Sequence, residues 1–248
     1  MNKKELLELI VSRFRELPEV ESLIDETIEN RAKALSPEEA IGNTARKDYP
    51  ILDGKDVMIE AVCNGASGQA FTCAPADFFG TLNDILNMDF ENDPQAAGLL
   101  IATINAVMAS LNICDRTVHC KNEGPALCGV EMMKYFKEKY CDENILIVGY
   151  QPSIISNLTA NMKNVRVLDL NPDNIGHEKC GVVIEDGAKA MEEAVEWADI
   201  ILCTGSTVCN GTLVNYLETG KKTYFFGTTL AGTAELLNLE RLCFADIV

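Results

Sequence analysis

The chain has 248 residues, with 47% hydrophobic, 24% charged and ten cysteines. This is globular usage with enough chain to bury a core, and it excludes a disordered class. Thirty-eight acidic against 21 basic residues leave a net charge of −17, which repels phosphate backbones and anionic membrane surfaces, so neither nucleic acid nor membrane is an expected partner. A metal ion, a small-molecule ligand or a second copy of the chain remains; cations are attracted to such a surface, although solubility is its simplest consequence.

Leu6, Leu7, Ile10 and Phe14 recur at helical spacing and predict an amphipathic helix rather than a signal peptide. A cytoplasmic, reducing setting with free thiols is therefore expected. Cys63, Cys73, Cys203 and Cys243 lie in apolar runs and read as small core hydrophobes.

From Asp56 to Thr72, VMIEAV and QAFTC predict two strands joined by NGASG. The run Gly65–Thr72 reads as a plain hairpin turn, with the alternative that Gln69 and Thr72 present polar groups to a cleft. Residues 74–88 (APADFFGTLNDILNM) predict a short helix after Pro75, and a second helix follows Pro94 through AAGLLIATINAVMASL. The apolar stretch Gly98–Cys114 is interrupted by Thr103, Asn105, Ser110 and Asn112, which fits a buried helix rather than a membrane span. Asn105 and Asn112 share a helix face; a buried Asn usually fixes a neighbouring loop, and the alternative places Asn105 in the cleft. The early part is thus an α+β pattern.

From about Asn144 strands and helices alternate: NILIVG, QPSIISNLTANM, VRVLDL, AMEEAVEWA, DIILCTG, TLVNYLETG, KTYFFG and a helix through AELLNL. Such βαβ units imply a parallel sheet, and strands without polar alternation imply that both faces are covered. The expected class is α/β, an N-terminal α+β part followed by a Rossmann-like parallel-sheet domain.

Ligands of open α/β sheets bind outside the carboxyl ends of the strands. The candidates there are Gly149, Gln151 and Pro152; Asp169; Thr204, Gly205, Ser206, Thr207 and Asn210; and Gly227 and Thr228. Asp169 lies 20 residues after Gly149, the spacing of a ribose-binding acid, and reads equally well as a strand-end cap. The first turn is GYQPS, not G-x-G-x-x-G, so a standard NAD site is not expected.

Residues 117–128, TVHCKNEGPALC, place His119, Cys120, Glu123 and Cys128 in a predicted loop. Imidazole and thiolate suit zinc and softer metals, but no C-x-x-C pair is present, and a packed histidine with buried thiols is the plainer reading. His177, in NPDNIGHEKC, reads as an exposed loop residue. No G-x-S-x-G, P-loop or H-E-x-x-H motif occurs, so no enzyme class is assigned.

The segments IGNTARKDYPILDGKDVMIEA, GASGQAFT, IATINAV, TVHCKNEGPALC, VRVLDLNPDNIG and ADIILCTGSTVCNGT resemble the DUF364 family, with a preceding DUF4213 domain. The resemblance spans nearly the whole chain and is most specific at TGSTVCNGT and TVHCKNEGPALC. It implies an enolase N-terminal-like α+β domain over residues 1–90 and a Rossmann-like domain over 91–248 that includes connecting helices at 95–140. It also implies a site between them and a role in heavy-metal chelation. Many relatives carry a G-P-S-x-P-type segment where this chain has GTTLAG at 227–232, so contacts there do not carry over.

The function expected from these readings is binding of a heavy metal or metallocofactor in the interdomain cleft. His119, Cys120 and Cys128 would be metal ligands and the strand-end residues, with Asn105, the ligand contacts. The alternative is an enzyme or binding protein for a small anionic or nucleotide-like ligand such as S-adenosylmethionine. A scaffold without chemistry is a third possibility.

Overall fold

The computed structural model describes residues 1–31, 35–53 and 57–244. Helix α1 (Lys3–Arg15) begins at a capping box: Asn2 and Glu5 each accept the other's backbone N–H. Leu6, Leu7, Ile10 and Phe14 are fully buried, as the spacing predicts.

Strand β1 (Thr27–Arg31) and the short helix α2 (Pro37–Ile41) follow. The predicted hairpin is β2 (Val57–Cys63) and β3 (Ala66–Thr72), paired antiparallel from Val57↔Thr72 to Cys63↔Ala66. Its expected start, Asp56, lies outside the described residues. The turn is only Asn64-Gly65, both at positive φ (48° and 80°), a two-residue turn whose twist matches the strands. Ala66, Ser67 and Gly68, expected in the turn, belong to β3.

The helix predicted over 74–88 is corrected. Residues 74–77 are irregular, Phe78–Thr81 forms strand β4, which pairs with Thr27–Asn30, and only α3 (Leu82–Leu86) is helical. Asp84 accepts both the N–H and the hydroxyl of Thr81 at 2.8 Å, which fixes the helix start there. The first sheet is antiparallel, in the order β3-β2-β1-β4. Helix α4 (Ala96–Ser110) lies directly on β2 and β3. Gly68 permits this approach: a methyl group there would meet the Ala106 nitrogen at 2.1 Å and the Ala102 carbonyl oxygen at 2.4 Å.

The remaining elements are α5 (Gly124–Lys139), β5 (Asn144–Val148), α6 (Pro152–Asn161), β6 (Asn164–Asp169), β7 (Glu178–Lys179), β8 (Val182–Asp186), α7 (Met191–Trp197), β9 (Ile200–Thr204), α8 (Thr207–Asn210), α9 (Val214–Leu217), β10 (Lys222–Phe226), α10 (Ala231–Leu237) and β11 (Arg241–Leu242). Their sheet runs β11-β10-β9-β5-β6-β8-β7 and is parallel except for β7. The protein is therefore mixed α/β with a large, mainly parallel sheet. Strands β7, β8 and β11 and helix α8 were not legible in the sequence.

Alternate strand residues enter opposite cores. Ile145, Ile147, Ile200 and Leu202 pack with α5 and α6 through Met132, Phe136, Ile154 and Leu158. Leu146, Val148, Ile201 and Cys203 join a continuous core with α1, α4, α8 and α10. Helix α4 thus stands between the sheets, touching β3 on one side and α10 on the other. β5 has β6 on one side and β9 on the other, and the crevice at such a reversal of strand order is where open α/β sheets place ligands.

The thiols divide less simply than expected. Cys63 and Cys203 are buried, but Cys73 is exposed and Cys243 only partly buried, because residue 73 follows the end of β3 and 243 follows β11. All ten cysteines are free.

Candidate functional site

The tips of β5, β6, β9 and β10 face the β3 side of the first sheet across a cavity of about 680 Å³. The sheets are tied at its edge: the Phe71 N–H donates to Thr229 Oγ1 at 3.0 Å. A second tie is the buried pair Tyr49 Oη and Ser153 Oγ, 2.6 Å apart.

The segment carrying His119 and Cys120 is positioned by β3. Gln69 donates its N–H to the Thr117 carbonyl and accepts the His119 N–H on Oε1 at 2.8 Å; its Nε2 donates to Glu60 at 2.7 Å. Gln69 is 2% exposed, so its role is to hold this segment. The far end is held by Asn122, whose N–H donates to the Ile41 carbonyl and whose Oδ1 accepts the Asn43 N–H.

His119 lies edge-on to Phe71, ring centroids 5.7 Å apart. Its Nδ1 is 2.7 Å from the Cys120 carbonyl. A carbonyl only accepts, so the proton sits on Nδ1 and Nε2 keeps its lone pair, the form of imidazole that ligates metals. Burial pulls the His119 pKa down, partly opposed by that carbonyl, which keeps the ring neutral. Cys128 is not in the predicted loop; it sits in the first turns of α5, which begins at Gly124 with Pro125 beside it. Burial pushes the Cys120 thiol up to about 12 and the Cys128 thiol up to about 11.

The strand-tip residues serve largely to build the tips. Gly149 has φ +93°, and a side chain there would strike Thr204 Cγ2 at 2.5 Å. Gln151 Oε1 accepts the Ile154 N–H at 2.6 Å and caps α6. Asp169 Oδ1 accepts the Asn171 N–H; burial raises its pKa, and the nearby backbone N–H groups of Asn171, Tyr150 and Leu170 oppose the rise. It is a strand-end cap whose edge also lines the cavity. Thr207 donates to the Thr204 carbonyl, Thr204 and Ser206 hydroxyls are 3.2 Å apart, and Asn210 accepts from Thr212. Thr228 donates to the Arg116 carbonyl at 2.9 Å.

Of the residues singled out in the sequence, Gly149, Gln151, Asp169, Thr204, Ser206, Thr207, Asn210, Gly227, Thr228, His119, Cys120 and Cys128 all line the cavity. Three do not. Pro152 is buried in the first turn of α6. Gly205 lies beneath Leu230, where a methyl group would meet Leu230 Cβ at 2.7 Å. Asn105 is fully buried, with Nδ2 donating to the carbonyls of Gln69, Thr228 and Thr229 and Oδ1 accepting the Gly232 N–H. It holds the β10–α10 loop against β3, and its expected ligand contact is corrected accordingly. His177 is exposed.

Tyr49, Phe71, Arg116 and Cys243 also line the cavity and were missed. Tyr49 is set by its bond to Ser153 in α6, Phe71 by its place near the end of β3 and Cys243 by its place after β11, relationships that no local pattern shows. The cavity's charge is unlike that of the chain. Among its described lining residues the cations are Lys3 and Arg116 and the only carboxylate is Asp169, although the chain carries −17. The donors suit soft metals rather than calcium or magnesium, which take oxygen ligands. Among the described residues, however, no group of three His, Cys, Asp or Glu side chains is arranged to hold a metal ion.

Residues 132–237 match the model of the DUF364 family, described as "Putative heavy-metal chelation". No curated protein matches. Two solved structures of DUF364 proteins of unknown function share the fold. The one from Pyrococcus horikoshii has TM-score 0.57 and 13% identity, over 90% of this chain and 79% of that one. The one from Desulfitobacterium hafniense has TM-score 0.54 and 15% identity, over 94% and 83%. The resemblance read from the sequence thus finds support over residues 132–237, from within α5 to the end of α10, where the chain is similar to the DUF364 family model, and solved DUF364 proteins share the fold.

Proposed function

We propose that the cavity binds a thiophilic metal ion, presented within a complex of cofactor size, with Cys120 and Cys128 as sulfur donors and His119 Nε2 as a nitrogen donor. The observation that carries this reading is the shared wall: these three residues line the same 680 Å³ cavity as the strand tips. A bare ion fills little of that volume, whereas cavities of ~300–1,000 Å³ hold drug-sized ligands. The strand-tip loops would receive the organic part and the Cys120–Cys128 wall the metal. The family description of heavy-metal chelation supports the same reading.

Binding would move the thiol protons to solvent, since thiolate is the ligating form. His119 needs no proton change, because it is already neutral with its lone pair on Nε2. The same proposal takes residues 1–90 and 91–248 as two domains, with the cavity as their cleft and the larger, Rossmann-like domain supplying the strand tips. Equilibrium dialysis of Zn²⁺ and Cd²⁺ against reduced, anaerobic protein tests it. The wild type retains about one equivalent, and Cys120→Ser/Cys128→Ser loses it; equal retention by both removes these thiols from the role.

One observation favours a second reading. Lys3 and Arg116 with the single carboxylate Asp169 make the cavity less negative than the chain, which suits a small anionic or nucleotide-like ligand at the strand tips. A thermal-shift screen separates the two, because ligands that bind only the folded state raise Tm. A shift with nucleotides and none with soft metals selects this alternative.

A further inference from the structure

Lys3 stands where the fold has no use for its charge. It is the first residue of α1, and a cation at a helix N-terminus opposes the helix dipole. Its neighbour Lys4 pairs with Glu91, whereas Lys3 makes no ion pair among the described residues. Its stem lies along Gly211: a methyl group there would meet Lys3 Cβ, Cγ and Cδ at 2.5, 2.6 and 3.0 Å. The lysine is thereby laid across the end of α8, where its charge acts on the Cys209 thiol, and it lines the cavity with Ser206 and Asn210. Asn210 Oδ1 accepts both the N–H and the hydroxyl of Thr212, which leaves the amide nitrogen as a donor. The other lining cation is already engaged. Arg116 Nη1 donates to the Cys243 carbonyl at 2.7 Å, and its Nε is 3.6 Å from Asp115.

The opposite pole is the tip of β6. Asp169 is the only carboxylate among the cavity's described lining residues. The Asn171 N–H takes one place on its Oδ1, and a carboxylate accepts at about four. Beside it Leu170, an apolar side chain 48% exposed, lines the same cavity. Strands β6 and β9 flank β5, so their tips are about 10 Å apart at the usual strand spacing. Between them the N-terminus of α6, where a dinucleotide fold holds its pyrophosphate, is already filled. Pro152 has no N–H, and Gln151 Oε1 takes that of Ile154 at 2.6 Å.

We propose that the cavity takes a ribonucleoside whose 5′ side carries one anionic group, a phosphate or a carboxylate. Asp169 accepts from the ribose hydroxyls, Leu170 supports the base, and Lys3 with Ser206 and Asn210 holds the anion. This rests on the anionic-ligand reading of the cavity and names the ligand's class and its two points of attachment. Charge decides which end goes where. Neutral hydroxyls satisfy a partly buried carboxylate without bringing a second charge beside it, and an uncompensated buried charge is costly. The anion goes to the one lining cation that no carboxylate neutralises.

The test titrates reduced full-length protein calorimetrically with the four ribonucleoside 5′-monophosphates and with S-adenosylhomocysteine, which carries a carboxylate in place of the phosphate. At least one probe should bind with one equivalent per chain, and the probe that binds identifies the anion. On wild type, the 2′-deoxy or the 3′-deoxy form of that probe should bind about tenfold more weakly, and so should the bare nucleoside. Lys3→Met, with circular dichroism like that of wild type, should bind the charged probe about as weakly as wild type binds the nucleoside. Asp169→Asn should narrow the gap between ribose and deoxyribose forms; the comparison of ligands on wild type stands whether or not this variant folds. Binding of none of the probes, equal binding of the ribose and both deoxyribose forms, or unchanged affinity in Lys3→Met overturns the proposal. Inorganic phosphate bound as tightly as the nucleotides removes the ribose contact and leaves the anionic-ligand reading. Cd²⁺ bound through Cys120 and Cys128, with no response to any nucleoside probe, removes this inference and leaves the metal reading.

Discussion

Gln69 accepts the backbone N–H of His119 at 2.8 Å, and through this bond a residue in β3 sets the position of the segment that carries the candidate imidazole and Cys120. Gln69→Leu fills similar space but leaves that N–H and the Glu60 carboxylate without their partner. A buried group left unsatisfied costs ~1–3 kcal/mol. Urea unfolding is expected to show a loss of that size, together with weaker ligand binding. Unchanged stability and binding would mean that the segment is held independently of β3.

Gly68 sets the distance between α4 and β3. The three atoms nearest to an added methyl group all belong to the α4 backbone, at 2.1, 2.4 and 2.6 Å, and a helix backbone cannot rotate aside. Gly68→Ala should cost at least ~1–3 kcal/mol, as overpacking does, read as a lower urea midpoint. Gly65→Ala, in open space but at φ +80°, serves as the comparison for backbone strain alone. Equal midpoints for Gly68→Ala and wild type would contradict the close packing.

These two positions also show what the sequence disclosed. Strong periodicity located α1, α4 and the strands β5, β6, β9 and β10, because their apolar residues repeat over several turns or fill whole strands. It missed β7 and β11, which have two residues each and so no period to read. It took Phe78–Thr81 for helix because pairing with β1 is a tertiary fact. The strand-tip wall was legible from the fold class alone. Asn105 was visible as a polar residue in an apolar helix, yet its four hydrogen-bond partners come from β3 and the segment running into α10, and no local pattern could name them. Cys243 was read as core for a similar reason: its neighbours are set by Arg116 and α5, far away in sequence.

His119 makes stability depend on pH. Its folded pKa is lowered from 6.5 by burial, so the unfolded chain takes up the proton first as pH falls. The stabilisation is complete above about pH 6.5 and is lost as pH falls through the lowered folded value; each unit of lowering corresponds to ~1.4 kcal/mol. Thermal melts at pH 7.5 and 5.5 should show a larger drop for wild type than for His119→Gln. Parallel drops would mean that His119 is not buried neutral.

Metal binding should weaken in acid for a separate reason. The thiols of Cys120 and Cys128, raised by burial to about 12 and about 11, must each lose a proton to bind. Affinity for Cd²⁺ should fall by up to about a hundredfold per pH unit below neutrality, two protons per ion. A pH-independent affinity would exclude ligation by these two thiols.

The most direct measurement is the ultraviolet sulfur-to-metal charge-transfer band during Cd²⁺ titration of reduced, anaerobic protein. The band should saturate at one equivalent in wild type and vanish in Cys120→Ser/Cys128→Ser, with both proteins equally folded by circular dichroism. A band of the same strength and affinity in the double variant would place the metal elsewhere and contradict the proposed role of the cavity.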